Sequence, residues 1–281
     1  MSAATGAPAD AGATWTGPVP EGRLWWRALR FWVFRWRRTW RASLAGNFVY
    51  PLVYLAAMGI GLGHLVNHHL AHGGAGEIGG LSYLAYVAPG ILAGSMMSIG
   101  VQEGTYPVMG ALRWDRAYLG QLASPLTVRA IVRGHLAFLA LRAAIAAAVF
   151  VAIAAGFGAL RSAESVVAVP VSVLVALAFG APLAAFAVTR ETDASFSTVQ
   201  RLVIVPLFLF SGSFFPVALL PSGLRALAVL TPLYHGVALT RACTVGGLVS
   251  VANALHAGYL GAMATIGVAV AQRTYRRRLA P

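Results

Sequence analysis

Lysine is absent from the chain, so all 21 basic residues among its 281 positions are arginines. The phosphate-binding loop GxxxxGK[ST] needs its lysine at the terminal phosphates of the nucleotide, and Schiff-base catalysis needs a lysine amine. The chain is therefore not expected to hydrolyse ATP by itself. Cysteine is almost absent as well, and the single Cys243 allows neither an internal disulfide nor a cysteine metal cluster.

Charge is scarce, because only 10% of the residues are charged and 58% are hydrophobic. In soluble domains about a quarter of the residues are charged. The low charge and the mean hydropathy of +0.73 together indicate an integral membrane protein. A net charge of +13 would suggest nucleic-acid binding in a soluble protein. Here the arginines flank apolar runs, which is the positive-inside pattern of membrane proteins, so no nucleic-acid partner is expected.

Six apolar runs are close to or longer than the roughly 20 residues that a helix needs to cross a bilayer. They are Leu44–Val66, Tyr83–Gly104, Gly134–Gly158, Val166–Val188, Val199–Phe215 and Leu248–Ala271. An even number of spans, six, places both termini on the same side of the membrane. If that side is the cytoplasm, only Arg161, Arg225 and Arg241 lie on the outer side of the membrane. The sequence predicts an all-α, multi-pass protein of the cell membrane with both termini in the cytoplasm.

The chain divides into three parts by composition. Residues 1–22 are rich in Ala, Gly and Pro and are predicted to be a disordered tail, and residues 42–281 form the transmembrane domain. Between them, residues 23–41 place an aromatic stripe opposite an arginine stripe, with Trp25, Leu29, Trp32, Trp36 and Trp40 on the apolar side. This pattern is typical of a helix that lies among lipid headgroups, and the alternative is a helix that faces a protein core.

Two charged residues lie in or beside the predicted spans. Arg142 falls inside the third span, where an arginine costs roughly 2.5–3.5 kcal/mol on insertion scales. We favour a side chain that snorkels to the cytoplasmic interface, and the alternatives are that it lines a path or pairs with an acid such as Glu103. Glu103 ends the second span, where a structural role is at least as well supported as a role in gating.

The predicted cytoplasmic loop from Thr105 to Arg133 is the longest inward connection between spans. Its middle, Leu112 to Leu122, has helix-forming residues, and Pro125 ends the helix because the residue before proline disfavours helix. A short amphipathic helix with Trp114 and Tyr118 exposed would dock into a groove of another protein. The alternative is a helix that rests on lipid headgroups.

The stretch from Leu207 to Arg241 remains apolar but is interrupted by Pro216, Pro221 and Pro232. Broken backbone at membrane depth is tolerated only where protein covers it or where it borders a water-filled cavity. A transport route needs such an architecture, whereas a plain membrane anchor does not.

Histidines give only a weak metal signal. His64, His68, His69 and His72 lie in the first predicted outward loop, with a spacing that would suit zinc or nickel on one helix face. Uncoordinated loop histidines are the preferred interpretation, because glycines follow at once. His135, His235 and His256 lie apart in sequence and show no ligand spacing. Neither GxSxG nor HExxH occurs, so no enzyme, no catalytic residue and no metal site is predicted.

Three segments together resemble the ABC-2 type permease family, the membrane subunits of ATP-driven exporters. They are the Trp- and Arg-rich helix, YVAPGILAGSMMSIGVQEGTYPVMGALRWDRAYLGQLASPLT from Tyr86 to Thr127, and FSGSFFPVALLPSGLRALAVLTPLYHGVALTRA from Phe210 to Ala242. The most similar branch contains nodulation-type lipo-oligosaccharide exporters and daunorubicin-resistance-type drug exporters. The resemblance implies a permease dimer, homodimeric or heterodimeric, with six spans per subunit and a separate cytoplasmic ABC ATP-binding subunit that holds ATP and Mg.

The resemblance also implies roles for particular residues. The coupling helix would comprise Arg113, Trp114, Asp115, Arg116, Tyr118 and Leu119, and the turn leading into it would contain Glu103 and Tyr106. An outward re-entrant hairpin that gates release would span Phe214 to Arg241, with Phe214, Phe215, Pro216, Pro221 and Pro232 as its marked residues.

The sequence is thus interpreted as the transmembrane permease subunit of an ABC exporter. Its cargo would be an amphipathic drug, natural product or lipid-linked glycan, and the chain itself would hold no cofactor. The partners would be an ATP-binding subunit, a second permease copy and membrane lipids. An ion-coupled secondary transporter would need acids buried midway through the spans, which are sparse here. An intramembrane lipid-modifying enzyme is a further alternative, without a supporting constellation of residues.

Overall fold

The computed structural model describes residues 21–41, 49, 52–62 and 81–279, and the regular elements in those ranges are helices. The all-α class is therefore confirmed for this part of the chain. The α-helices are α1 (Glu21–Trp36), α2 (Tyr83–Gly104), α3 (Tyr106–Met109), α4 (Ala117–Leu122), α5 (Val128–Gly156), α6 (Ala168–Ala187), α7 (Ala194–Val199), α8 (Val205–Phe210), α9 (Ser222–Leu230), α10 (Pro232–Val245) and α11 (Val251–Leu279). Short π-helical stretches occupy Ala57–Leu62, Gly110–Trp114 and Gln200–Ile204, and 3₁₀ turns occupy Ala163–Val167 and Val217–Leu219.

Four helical stretches are long and apolar enough to cross a bilayer, and they coincide with the second, third, fourth and sixth predicted spans. They are Tyr83–Trp114, Val128–Gly156, Ala163–Ala187 and Val251–Leu279. About half of the first predicted span lies outside the described residues, and residues 52–62 within it are helical. The fifth corresponds to the apolar helix Ala194–Phe210, whose length is about 25 Å at 1.5 Å per residue. Six spans therefore remain a prediction.

Local capping explains where two of the long helices begin. The Ser82 side chain accepts a hydrogen bond from the Ala85 amide at 3.4 Å, so α2 starts at the predicted Tyr83. The Thr127 side chain accepts one from the Ala130 amide at 3.2 Å. Helix α5 therefore begins at Val128, and the predicted start at Gly134 was too late.

Small residues let the long helices approach closely. A Cβ added to Gly100 of α2 would lie 2.4 Å from the Ala176 carbonyl oxygen of α6, and one added to Gly267 of α11 would lie 2.5 Å from Pro182. Such backbone approach is the usual basis of helix packing within membranes, where apolar side chains gain little by leaving lipid. Helix α6 is thereby packed between α2 and α11 in the centre of the bundle.

Helix α1 packs along α5, and its predicted extent is only partly correct. The α-helix begins at Glu21 and ends at Trp36, whereas the prediction extended it to Arg41. Trp32 is buried, and a Cβ on Gly134 of α5 would lie 2.5 Å from the Ala28 side chain. The buried part of the aromatic face therefore contacts protein. The predicted tail precedes this helix and lies outside the described residues except for Glu21 and Gly22.

Candidate functional site

The arginine-rich end of the bundle carries the connecting segment 105–127, which joins α2 to α5. The segment consists of α3, the π-helical turn Gly110–Trp114 and α4. Between the last two, Arg116 adopts a left-handed backbone with φ of 50°. The prediction of one helix from Leu112 to Leu122 was wrong, because this reversal interrupts it. Arg35 of α1 forms an ion pair with the neighbouring Asp115 and thereby ties the break to the bundle.

Tyr118 points into the bundle, which contradicts the prediction that it is exposed. It is fully buried beside Trp32 of α1, His135 of α5 and Tyr275 of α11, a set that we call the aromatic cluster. The Tyr118 hydroxyl lies 3.5 Å from His135 Nδ1 and 3.4 Å from the Tyr275 hydroxyl, and Trp32 stacks on His135 with ring centroids 4.5 Å apart. Burial raises the pKa of the Tyr118 phenol, so the hydroxyl remains protonated.

Three side chains of the same segment face outward, and we call them the exposed patch. Trp114 is 61% exposed and Leu119 is 53% exposed, and Arg116 lies between them in sequence. Large apolar side chains beside an arginine are suited to contact with another protein or with lipid headgroups. The segment thus exposes a small amphipathic patch while Tyr118 holds it against three helices.

A further set of charges joins neighbouring elements at this end. Glu191, in the loop after α6, lies 3.6 Å from Arg113 and 3.8 Å from Arg278 near the end of α11. Glu191 is largely exposed, so each contact contributes at most about 1 kcal/mol. These ion pairs therefore contribute little to stability, and their main effect is to hold the loop after α6 near the connecting segment and the end of α11.

Glu103 and Arg142 form an ion pair in the interior, which is one of the alternatives given for Arg142. Their side chains are 6% and 19% exposed, and the pair joins the last turn of α2 to the middle of α5. The structure therefore shows the pairing alternative, with Glu103 as the partner of Arg142. Separating two charges at such a site would leave each without a partner in a medium of low dielectric constant.

Tyr106 lies one turn beyond Glu103, at the mouth of a polar cleft. Its ring is 45% exposed and packs edge-on against Phe196 of α7, with centroids 5.4 Å apart. The cleft has a volume of about 300 Å³, and its walls include the polar side chains of Gln102, Gln200 and Arg201. The turn therefore borders a polar opening between α2 and α7.

The apolar helix that follows this cleft has few contacts with the bundle. From Ala194 to Phe210 it comprises α7, the π-helical turn and α8, and α8 contains no buried residue. Leu202 is 72% exposed, and Leu209 is also exposed. An apolar face of this length is available to lipid or to a second subunit.

At the opposite end of the bundle, the region of the predicted hairpin is broken into short helices. Pro216 precedes the 3₁₀ turn Val217–Leu219, Pro221 precedes α9, and Pro232 is the first residue of α10. Each proline stands at a helix start, where its missing N–H group has no intrahelical acceptor to lose. Phe214 is half-buried and packs edge-on against Phe208, with ring centroids 5.1 Å apart. Phe215 is half-buried as well.

Arg241 of α10 connects this region to α2. Its Nη2 atom donates to the Gly212 carbonyl at 2.9 Å and to the Tyr86 carbonyl at 3.3 Å. The guanidinium group also lies over the Tyr86 ring, 4.1 Å from its centroid. From the sequence, Arg241 was predicted only to lie on the outer side of the membrane, at the end of the hairpin. The residues that meet here nevertheless all belong to the two segments, Tyr86 to Thr127 and Phe210 to Ala242, that carry the family resemblance.

Two histidines that appeared unrelated in sequence are neighbours in the structure. His235 of α10 and His256 of α11 have Nδ1 atoms 2.7 Å apart, and Tyr259 stacks on His235 with centroids separated by 4.0 Å. One imidazole must be neutral to accept this hydrogen bond. No group of three metal-ligating side chains occurs in the described part of the chain, and His64, His68, His69 and His72 lie outside it.

Long apolar helices, an interior ion pair and a broken apolar end together define a polytopic membrane protein with the elements of a transport subunit. The sequence model of the ABC-2 type transporter family matches residues 23–244 of the chain. The chain therefore belongs to the ABC-2 type transporter family.

Characterised relatives agree with this assignment over most of their length. Nodulation protein J of Rhizobium leguminosarum bv. viciae is 32% identical over 277 residues, which cover 93% of this chain and 97% of the relative. Nodulation protein J of Rhizobium meliloti (strain 1021) is 32% identical over 258 residues, covering 89% of this chain and 94% of the relative. The protein of the same name from Rhizobium leguminosarum bv. trifolii is 33% identical over 262 residues, with shares of 93% and 96%.

Family membership fixes the general role of the chain. Membrane subunits of this family are integral membrane permeases and serve as transport components, not as enzymes. Membership also implies an ABC ATP-binding partner. The absence of lysine agrees with this role, because the sequence contains no phosphate-binding loop with its lysine.

Proposed function

We propose that the protein is the permease subunit of an ABC exporter that moves an amphipathic molecule out of the cell. A separate ATP-binding subunit supplies the energy and holds ATP and Mg. The observation that carries the proposal is the connecting segment, which exposes Trp114 and Leu119 while Tyr118 between them is buried among three helices. A segment built this way is suited to receive a movement from outside and to pass it to the bundle.

The ATP-binding subunit contacts the exposed patch on the cytoplasmic side. In this proposal the arginine-rich end faces the cytoplasm, in agreement with the distribution of charge. Closure of the nucleotide sites displaces the coupling helix, and the buried Tyr118 transmits that displacement to α1, α5 and α11 through the aromatic cluster. The half-exposed ion pair between Arg35 and Asp115 adds a weak further contact between this segment and α1.

The Glu103–Arg142 pair extends the moving unit into the membrane. Glu103 belongs to the turn that leads into the coupling helix, and Arg142 lies about 21 Å along α5 from its start at Val128. Because separation of the two charges is costly in the interior, α2 and α5 move together. Tyr106 and the polar cleft beside it form the opening through which the polar part of the substrate enters.

A second permease copy covers the exposed face of the apolar helix from Ala194 to Phe210. This helix is apolar yet barely packed in the single subunit, which supports a contact with a second subunit there. The described helices together with the residues around 44–66 give six spans per subunit. The transport path then lies between the two copies, bordered on each side by the cleft at Tyr106.

The short helices from Phe214 to Arg241 form the outward re-entrant hairpin that gates release. Leu227 and Leu230 of α9 are exposed apolar residues, which suits a helix embedded in the outer interface of the bilayer. Phe214 and Phe215 lie where the hairpin leaves the fifth apolar helix, so a movement of α8 displaces them.

Binding of the ATP-binding subunit to patch variants tests the proposal. We expect the purified permease to retain the subunit through chromatography, and we expect Trp114→Ala combined with Leu119→Ala to weaken that binding roughly tenfold or more. Trp26→Ala is the matched control, because Trp26 is an equally exposed tryptophan on α1. Unchanged binding of the double variant would assign the patch to lipid headgroups instead.

Transport in vesicles separates this function from the alternatives. An ABC exporter stops when the ATP-binding subunit is removed and continues after the proton and sodium gradients have been dissipated. The opposite result would identify an ion-coupled secondary transporter.

A further inference from the structure

Three sequence-distant segments meet at one point beneath the hairpin. The first is the start of α2, around Tyr86 and Gly90, and the second is the end of α10, with Arg241. The third is the turn formed by Ser211, Gly212 and Ser213, which we call the SGS turn. A Cβ on Gly90 would lie 2.6 Å from the Ser213 Cα atom, so the turn rests directly on the helix backbone. Gly212 has a φ of +81°, a conformation that favours glycine.

Arg241 makes the contacts that join all three segments. Its guanidinium donates to the Gly212 carbonyl and to the Tyr86 carbonyl and covers the Tyr86 ring. The remaining contacts each join only two segments: the Tyr86 hydroxyl donates to Gly212 O at 3.4 Å, Ser213 donates to Gly90 O at 3.4 Å, and Thr240 donates to Pro89 O at 3.0 Å. Removal of the guanidinium therefore takes away the contact that joins all three segments, and leaves the turn on α2 only through two hydrogen bonds of 3.4 Å.

The charge of Arg241 is held without a carboxylate partner among the described residues. Carbonyl oxygens and an aromatic face compensate it, and its Nε atom is buried without a hydrogen-bond acceptor. Hydrogen bonds donated by a charged group are stronger than neutral ones, which suits this arginine to ordering a turn. It is not locked as a buried ion pair would be, because no carboxylate among the described residues faces the guanidinium.

We propose that Arg241 is a positioning residue that latches the SGS turn onto α2 and so keeps the hairpin in its closed position. This inference rests on the proposed gating function of the hairpin. Opening moves the turn away from Gly90, so the hydrogen bond from Arg241 to the Gly212 carbonyl breaks and reforms once per cycle. The Nη2 group donates to two carbonyls while the guanidinium lies over the Tyr86 ring, and the compact ammonium of a lysine does not reproduce both contacts.

Thiol labelling measures the latch without a substrate or an ATP-binding subunit. In a Cys243→Ser background, Ser213→Cys places a small thiol in the buried turn, and its reaction with a water-soluble maleimide reports exposure of the turn. We expect Arg241→Gln to raise the labelling rate roughly tenfold or more, because two charge-assisted hydrogen bonds are lost. Arg241→Lys should give an intermediate rate.

Two controls separate a local latch from general destabilisation. Arg225→Gln alters an exposed arginine of the same hairpin, whose side chain bonds only the Ala218 carbonyl, and should leave the labelling rate unchanged. Ser172→Cys, in place of Ser213→Cys, reports a buried position near the start of α6 and should remain unreactive in the Arg241→Gln protein.

The proposal is overturned if Arg241→Gln leaves the rate at Ser213→Cys unchanged, since the turn would then be held by other contacts. It is also overturned if both reporter thiols become reactive together, since Arg241 would then support the fold as a whole. Neither outcome depends on whether the permease exports anything. If the labelling results are as expected but the permease with its ATP-binding subunit transports nothing, the latch proposal stands and the exporter proposal fails.

Discussion

Neutralising one member of the Glu103–Arg142 pair is expected to destabilise the bundle far more than neutralising both. The side chains are 6% and 19% exposed, and Arg142 lies at the middle of a helix long enough to cross the bilayer. Arg142→Met leaves a buried carboxylate without a partner, and Glu103→Gln leaves a buried guanidinium in the same position. Removing one partner of a buried ion pair costs about 3–5 kcal/mol, whereas replacing both is often close to neutral.

The magnitude follows from a double-mutant cycle. If each single change costs about 3 kcal/mol and the double change costs at most about 2 kcal/mol, the coupling free energy is at least about 4 kcal/mol. The free energy of unfolding in mixed micelles, measured for the wild type, both single variants and the double variant, gives this quantity directly. Arg133→Met is the matched control, because Arg133 is exposed on the same helix, and it should change the free energy of unfolding by less than about 0.5 kcal/mol.

Additive single effects of less than about 1 kcal/mol each would refute the reasoning. Such values are those of a solvated ion pair, and they would mean that water reaches the pair in the membrane. Helices α2 and α5 would then be free to move separately, and the rigid unit proposed for coupling would be lost.

Three further predictions concern other contacts of the bundle. Gly134→Leu should detach α1 from α5 and lower the thermal stability of the permease, whereas Gly258→Leu, at a glycine with open space around it, should leave the melting temperature nearly unchanged. His256→Phe removes the acceptor or donor of the bond to His235 and should lower the free energy of unfolding by about 0.5–1.5 kcal/mol, measured in the same micelles. Phe214→Ala should reduce efflux from vesicles while gel filtration shows an unchanged assembly, and loss of the assembly would assign the residue a purely structural role.

Regular apolar segments were predictable from local sequence. Helix α2 has the predicted bounds Tyr83 and Gly104, because Ser82 caps its start and a break at Thr105 ends it. The start of α5 was missed because Thr127 caps a turn that still contains Arg129 and Arg133, and charged residues conceal the first turns of a span in a hydropathy pattern. The broken backbone after Phe210 was visible in its prolines, since proline removes a donor that helices require.

Side-chain partners depended on tertiary structure. The outward orientation assigned to Tyr118 assumed a continuous helix, and the left-handed Arg116 rotates α4 so that Tyr118 points inward. Arg142 and Glu103 are 39 residues apart, and no local pattern relates them. His235 and His256 likewise become neighbours only because α10 packs on α11, a contact that ligand spacing does not encode.

ATP hydrolysis by the reconstituted permease, alone and together with its ATP-binding subunit, tests the central claim most directly. The account predicts background phosphate release from the permease alone, and hydrolysis with the subunit present that falls when Trp114 and Leu119 are both replaced by alanine. Robust hydrolysis by the permease alone, or hydrolysis by the pair that does not respond to the exposed patch, would contradict it.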